Sequence, residues 1–338
     1  MVSTWAQRAA QAEDAVQHHH LRRLWGLPGT RLGVTTWPPG PTTRSFVRWH
    51  YWWQAQLLDC LIDAFDRDPS GARRRRVAQV VRGVRLRNFG SWTSSYYDDM
   101  AWLGLALNRA DAVVGVRHPT AVRTLVGELE AAWCDDAGGG IPWRKGDVFR
   151  NVPANGPAAI LLARTGYVQR ARATADWIDA HLLDPETGLV YDGIRPGGVL
   201  ATTTYTYCQG VVLGAETELA VRTGESRHRE RVHRLVDAVA QHLGIDGVLP
   251  GAGGGDGGLF AGILARYLAL VATHLPGETA AADIVLASAE AAWAHRSVVD
   301  GRPRFGESWG RQAGEDERDL SLQLSGWMLL EAAVVLDR

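Results

Sequence analysis

The chain has 338 residues, of which 46% are apolar and 22% charged, and its formal net charge is -1. This apolar fraction excludes a disordered chain, and the near-neutral charge gives no reason to expect nucleic acid as a partner, because nucleic-acid binders carry a basic excess. Cys60, Cys134 and Cys208 form no CxxC pair, so neither a disulfide framework nor a zinc site is predicted.

The first residues lack the apolar core and cleavage site of a signal peptide, and no run of 18 apolar residues is present. We therefore expect a cytoplasmic protein, or a secreted one if a leader was removed, without an integral membrane segment. His18, His19 and His20 fall on an outer helix, where we expect them to be solvated. No metal or cofactor is predicted.

Hydrophobic periodicity predicts twelve helices, at residues 4–24, 44–66, 70–87, 96–110, 119–135, 155–165, 168–183, 206–223, 226–243, 258–273, 278–296 and 318–336. Every second helix is apolar or small nearly all round, as in residues 100–107, whereas its partner carries a charged face, as in residues 73–76. A helix that is apolar on all sides is buried, and one with a single apolar stripe lies on a surface. The alternation predicts an all-α fold, a single-domain (α/α)6 barrel of six inner and six outer helices over residues 1–338.

Long, glycine-rich links precede the inner helices, as at residues 138–143, 188–193 and 251–258. All of them are expected on the face formed by the N-terminal ends of the inner helices, where a binding site is therefore predicted. The run 251–258 lacks the Lys-Ser/Thr of a phosphate loop, so its glycines are expected to serve tight turns at the rim.

Asp98 and Asp99 lie in the first turn of an inner helix. Ser95 with Asp98 forms a capping-box pattern, and acidic residues favour helix N-termini. A cap needs one carboxylate, however, and consecutive helical residues point about 100° apart. Paired carboxylates among aromatic side chains are typical of glycoside hydrolysis. The spacing alone leaves both interpretations open.

Several motifs occur in the order known from one enzyme family: residues 52–58 (WWQAQLL), 97–102 (YDDMAW), 138–141 (GGGI), 155–156 (NG), 206–210 (TYCQG) and 260–263 (FAGI). With these motifs the chain resembles glycoside hydrolase family 76 over about residues 45 to 335. The resemblance implies an (α/α)6 barrel and α-1,6-mannanase activity. It also implies Asp98 as the nucleophile of a retaining double displacement, Asp99 as the acid/base, and Asp192 as a substrate-binding carboxylate.

Two positions depart from the family pattern: Cys208 replaces an Asn, and Ala261 replaces a Lys. Both changes remove polar groups, so the substrate preference stays open. Further sugar contacts are predicted from aromatic and amide side chains on the active face: Tyr97, Trp92, Trp143, Asn155, Tyr207, Gln209, Phe260 and Trp309. For Asn155 a helix cap is an equal alternative.

The sequence thus predicts an endo-acting, retaining hydrolase of α-1,6-linked mannosides, with mannan or a manno-oligosaccharide as substrate. A sugar isomerase or epimerase on the same barrel is the first alternative, but such enzymes use histidines, and the inner helices offer only His50, with His274 just past one end. A non-catalytic glycan-binding protein is the second alternative, and the intact Asp98 and Asp99 argue against it.

Overall fold

The computed structural model describes residues 3–135 and 138–338. Its helices are α1 (Thr4–His19), the single turn α2 (Pro41–Arg44), α3 (Tyr51–Arg67), α4 (Gly71–Arg87), α5 (Tyr97–Arg109), α6 (Pro119–Ala131), α7 (Val152–Arg164), α8 (Val168–Leu182), α9 (Thr206–Thr223), α10 (Ser226–His242), α11 (Phe260–His274), α12 (Thr279–Ala294) and α13 (Leu320–Leu336). The predicted all-α class is confirmed, and each of the twelve predicted helices has its counterpart.

The six inner helices are α3, α5, α7, α9, α11 and α13. Each packs on the next in chain order, and α13 packs on α3, so the ring is closed. Glycines let these helices approach: a Cβ at Gly210 would lie 2.8 Å from the Leu264 Cα, and one at Gly262 would lie 2.7 Å from the Ser325 Cα. The outer helices α1, α4, α6, α8, α10 and α12 surround this ring.

Two predicted boundaries are wrong for local reasons. Helix α1 ends at His19 rather than at residue 24, because the chain turns there to pair the strand β1 (Leu21–Arg22) with β2 (Leu32–Gly33). Helix α3 begins at Tyr51 rather than at residue 44, because Phe46 and His50 both have left-handed φ angles, 58° and 44°, which interrupt a right-handed helix.

The predicted solvation of the histidine cluster is also wrong in part. His18 is exposed, but His19 and His20 are buried. The His20 ring Nδ1 lies 2.9 Å from the carbonyl oxygen of Val34, next to the β1–β2 pair. The end of α1 is therefore packed into the structure by the segment that follows it.

The segment Gly255–His274, which contains α11, is long and apolar enough to cross a membrane by composition. Its most apolar window is 61% buried inside the protein, as expected for an inner helix of a barrel. Among the residues that the structure describes, this is the one such helix, and no integral membrane segment is indicated.

Small antiparallel sheets shape the rim. The strands β3 (Arg150–Asn151), β4 (Gly193–Arg195) and β5 (Val199–Ala201) form a three-stranded sheet in the order β3-β4-β5. A separate hairpin pairs β6 (Ser297–Val299) with β7 (Arg302–Arg304). The three-stranded sheet joins the links before α7 and α9, so it fixes two neighbouring loops of the predicted active face to each other.

Candidate active site

A cleft of about 400 Å³ opens at the N-terminal ends of the inner helices. It is lined by aromatic side chains and three carboxylates, from Trp52, Asp98, Trp102, Trp143, Phe149, Asn151, Pro153, Asp192, Tyr205, Tyr207, Ala252, Asp256, Gly257 and Phe260. Aromatic rings stack on sugar faces and carboxylates accept hydrogen bonds from hydroxyls. The site lies on the face where the long loops predicted it.

Asp98 is held by two donors at the start of α5. The backbone N–H of Asp99 donates to Asp98 Oδ1 at 2.8 Å, and the Trp143 indole Nε1 donates to Asp98 Oδ2 at 2.9 Å. The Asp99 carboxylate instead accepts at Oδ2 from the Ser94 hydroxyl at 2.9 Å. The predicted capping box is absent: the N-cap of α5 is Tyr96 rather than Ser95, and its side chain makes no capping hydrogen bond.

The two buried carboxyl groups differ in acidity. Burial raises the pKa of Asp98 to about 6, and the hydrogen bond from Trp143 opposes that rise. Burial, and then the charge of Asp98, raises the pKa of Asp99 to about 8. Between these values Asp98 is ionised and Asp99 is protonated. At one pH the site therefore holds a carboxylate beside a carboxylic acid, the two forms that general acid and nucleophilic chemistry require.

Asp256 is a third carboxylate in the cleft, and the sequence analysis missed it. Its Oδ1 accepts hydrogen bonds from the indole Nε1 of Trp52 at 3.0 Å and of Trp53 at 2.7 Å. Its charge contributes to the raised pKa of both Asp98 and Asp99. The residue lies in the glycine-rich run that was assigned only to turns, and a single acidic residue in that run was the available signal.

Asp192 lies on the other loop that contributes a carboxylate, directly before β4. Burial raises its pKa to about 6, and the nearby Arg195 guanidinium opposes the rise. Two backbone hydrogen bonds hold Asp192 in place, both at 2.8 Å. Its carbonyl accepts from the Val152 N–H, and its own N–H donates to the Thr203 carbonyl. The carboxylate is therefore presented to the cleft from a fixed backbone.

Three of the other predicted sugar contacts, all aromatic, do reach the cleft. Trp143, Tyr207 and Phe260 line the cleft with Asp98. Tyr207 is only 8% exposed and packs on the Phe260 ring with centroids 4.4 Å apart, so it forms the floor rather than the rim. Trp102 is buried and also lines the cleft.

Three predicted sugar contacts lie outside the cleft lining. The Trp92 ring lies against His118, and its carbonyl accepts from the Tyr51 hydroxyl at 2.6 Å. Trp309 is buried, at 4% exposure. Tyr97 donates its N–H to the Trp143 carbonyl at 3.0 Å and so positions that residue. Their side chains do not line the cleft, so the prediction of substrate contact is not supported for them.

Asn155 and Gln209 do not reach the cleft either, because their amides bind backbone. Asn155 accepts from the Ile141 N–H at 2.8 Å and donates to the Ile141 carbonyl at 2.7 Å and the Asn151 carbonyl at 2.8 Å. Gln209 makes the same set with Val190, at 2.8 Å each way, and donates to the Tyr205 carbonyl at 3.0 Å. Both N–H groups of each amide donate within the protein, and each amide oxygen accepts a backbone N–H.

Gln54 pairs with Gly33, and Gln323 pairs with Phe305, in the same two-way manner. All four amides are the fourth residue of an inner helix, in α3, α7, α9 and α13. We call these four contacts the amide clamps. Each fastens the long link that precedes its own helix, and the clamps at Ile141 and Val190 hold the loops that carry Trp143 and Asp192.

A second cavity, of about 170 Å³, lies toward the C-terminal ends of the inner helices. Its carboxylates Asp59 and Asp63 are paired with the guanidinium groups of Arg109 and Arg266. These ion pairs link α3, α5 and α11, and the opposite charges within them neutralise each other. These carboxylates are thus committed to arginine, unlike Asp98 in the cleft, whose partners are the Asp99 N–H and the Trp143 indole.

The model of glycosyl hydrolase family 76 matches residues 8–338 of the chain. The α-1,6-mannanase GH76A of Salegentibacter sp. HEL1_6 has a similar structure, with a TM-score of 0.89 and 29% identity over 98% of this chain and 99% of that one. An inactive variant of that mannanase, with two consecutive aspartates replaced by alanine, was solved in complex with α-1,6-mannotetrose; it is 28% identical over 99% of this chain and 100% of that one, with a TM-score of 0.89.

A curated fungal relative is the mannan endo-1,6-alpha-mannosidase DCW1 of Candida glabrata, which is 27% identical over 230 residues. The match covers 59% of this chain and 52% of the relative. The chain therefore spans about half the length of that curated protein.

Proposed function

This chain belongs to glycosyl hydrolase family 76, and on that premise we propose that it cleaves α-1,6-linked mannosides with Asp98 and Asp99. The observation that carries the proposal is the pair of adjacent carboxyl groups whose pKa values burial and mutual repulsion move apart. The aromatic lining of the cleft supports a sugar as the ligand. A complex of a mannanase similar in structure with α-1,6-mannotetrose supports the linkage.

In the first step the ionised Asp98 attacks the anomeric carbon of one mannose. The bond from that carbon to the O6 of the next mannose breaks, and Asp99 gives its proton to this O6, which leaves as a hydroxyl. A mannosyl ester of Asp98 remains. The two donors on Asp98, the Asp99 N–H and the Trp143 Nε1, hold the carboxylate in one orientation for this attack.

In the second step the ionised Asp99 takes a proton from water as the water oxygen attacks the same carbon. The ester bond breaks, Asp98 regains its charge, and the released sugar keeps its α configuration. Asp99 is protonated again and ready for the next cycle. Retention requires that both displacements use the same pair, so one aspartate cannot replace the other.

Endo action is the finer part of the proposal, and it rests on the likeness to a fungal protein named as an endo-1,6-α-mannosidase. An open cleft accommodates an internal stretch of a polymer, whereas a closed pocket accepts only a chain end. We therefore expect short oligomers of mixed length, rather than free mannose, as the first products of a linear α-1,6-mannan.

The test is incubation with linear α-1,6-mannan beside α-1,2- and α-1,3-linked mannosides, with the products read by mass. Only the α-1,6 chain should be shortened. Asp98→Asn should lose at least about a thousandfold in rate, since it removes the nucleophile. The control Asp283→Asn, an exposed aspartate of the outer helix α12, should keep the wild-type rate. Turnover by Asp98→Asn within tenfold of wild type would contradict the assignment.

Proton NMR of the first-formed product tests retention separately, because initial release of the β-anomer indicates inversion. The isomerase alternative is tested by incubation with free mannose and N-acetyl sugars. Among the described residues that line the cleft there is no histidine to act as its base, which favours the hydrolase. Calorimetric binding of mannotetraose without any turnover would support the glycan-binding alternative instead.

A further inference from the structure

The C-terminal end of α1 meets the turn of the β6–β7 hairpin at a cluster of potential metal ligands. The ligand atoms of His18, His19 and Asp300 all lie within 4.8 Å of one another. The His19 Nε2 is 3.4 Å from the Asp300 Oδ2. None of the three residues lines the cleft, so the cluster is separate from the site of the proposed hydrolysis.

His19 is the central member of the cluster. Its side chain is 8% exposed, and its buried Nε2 makes no hydrogen bond to any residue within 3–135 or 138–338. The ring lies against Trp37, with centroids 4.1 Å apart. Buried ring nitrogens are normally bonded, so an unbonded one aimed at a carboxylate and a second imidazole needs an explanation.

The hairpin that presents Asp300 is firmly placed. Asp300 and Gly301 form its two-residue turn, with left-handed φ angles of 51° and 73°, and Val299 pairs with Arg302 across it. The Arg302 Nε donates to Asp14 Oδ2 on α1 at 2.7 Å. This bond docks the hairpin on the helix and brings residues from opposite ends of the chain together.

We propose that His18, His19 and Asp300 bind one divalent transition-metal ion, with Zn²⁺ as the preferred ion. Two imidazole nitrogens and one carboxylate are ligands that Zn²⁺ accepts, and a fourth position is left for water. Ligands at the usual zinc distances lie about 3.3 Å apart in a tetrahedral site, close to the separation of His19 and Asp300. His18 is exposed and can rotate to complete the set. The ion would join α1 to the hairpin.

Calorimetric titration of the untagged, chelator-treated protein with zinc chloride tests the proposal. We expect one zinc ion per chain. Asp300→Asn and His18→Gln should each weaken zinc binding by more than about tenfold, because replacing a residue that only hydrogen-bonds to a metal ligand already has an effect of this size. Asn tolerates the left-handed turn of Asp300, so this variant keeps the hairpin. His19 is left intact because its ring is packed on Trp37.

Asp246→Asn is the matched control. Asp246 and Gly247 form another turn with the same φ of 51° at the aspartate, but Asp246 belongs to no ligand cluster in the described part of the chain. Zinc should raise the thermal midpoint of the wild type and of this control, and it should leave that of Asp300→Asn unchanged. Equal zinc affinity in all four proteins, or no zinc uptake by the wild type, would overturn the proposal. Neither result bears on the mannan assay.

Discussion

Gln54 and Gln56 lie two residues apart on α3 and are both buried, at 0% and 1% exposure, yet their replacement by Met should have opposite results. Gln54 forms an amide clamp with the N–H and carbonyl of Gly33 and also bonds the Trp49 carbonyl at 2.7 Å. The Nε2 of Gln56 makes no hydrogen bond to the residues that the structure describes. Comparing the two variants therefore separates the effect of losing the clamp from the effect of removing a buried polar side chain.

Gln54→Met leaves two or three buried backbone groups without a partner, at about 1–3 kcal/mol each, and the gain from a more apolar side chain offsets part of this. We expect a loss of about 2–5 kcal/mol. With an unfolding entropy of about 2.1 cal/mol/K per residue, a chain of 338 residues should lose about 3–7 °C of its thermal midpoint. Gln56→Met should be neutral or stabilising, because it removes an unpaired buried donor.

Differential scanning calorimetry of the two variants and the wild type measures both effects at one pH and buffer. Circular dichroism at low temperature confirms that each variant is folded before the scan. If Gln54→Met melts within 1 °C of wild type, or if Gln56→Met falls as far as Gln54→Met, then the clamps do not stabilise the barrel and our reasoning is wrong.

Three further predictions concern the carboxylates. Mannanase activity should follow a bell-shaped pH profile between the pKa of Asp98, about 6, and that of Asp99, about 8. Asp256→Asn removes a negative charge across the cleft, so it should move both limbs of the measured profile down by about half a pH unit. An unmoved profile refutes this. Trp143→Phe removes a donor to the Asp98 anion, so the acidic limb alone should rise by about 1 pH unit. Because the pKa of Asp99 is higher in the folded than in the unfolded chain, the folded protein loses stability as the pH rises toward 8. The thermal midpoint of Asp99→Asn should therefore exceed that of the wild type by a margin that grows between pH 5 and pH 8. A constant margin in calorimetry would contradict this.

The helices were predictable because their periodicity is local, whereas the predictions that failed depended on where distant loops lie. Asn155 and Gln209 were assigned to sugar because an amide at a helix start has several possible partners, and only the folded loop shows that Ile141 and Val190 occupy them. Their shared position, fourth in an inner helix, was a signal in the sequence.

Asp98 and Asp99 stand out in the sequence because two adjacent carboxylates exceed what a cap needs, and the family resemblance then favours a catalytic role, which stays a prediction. Asp256 was missed because a lone acidic residue among glycines has no such excess, and its meaning comes from Trp52 and Trp53, about two hundred residues earlier. The same long range brings His19 to Asp300, a contact that no spacing in the sequence indicates.

The amide clamps also bear on how such a barrel changes its substrate. Each clamp binds the N–H and the carbonyl of one residue, and residues such as Ile141 and Val190 are also buried, so hydrogen bonds and packing together fix the base of the loop on the ring. The part of a loop beyond the clamped residue can then change in length, or acquire new aromatic and charged side chains, while its base keeps its position on the ring. We expect the transfer of a whole loop between relatives to succeed when the junction lies at the clamped residue, such as Ile141 or Val190, and to fail when the junction lies within the loop instead.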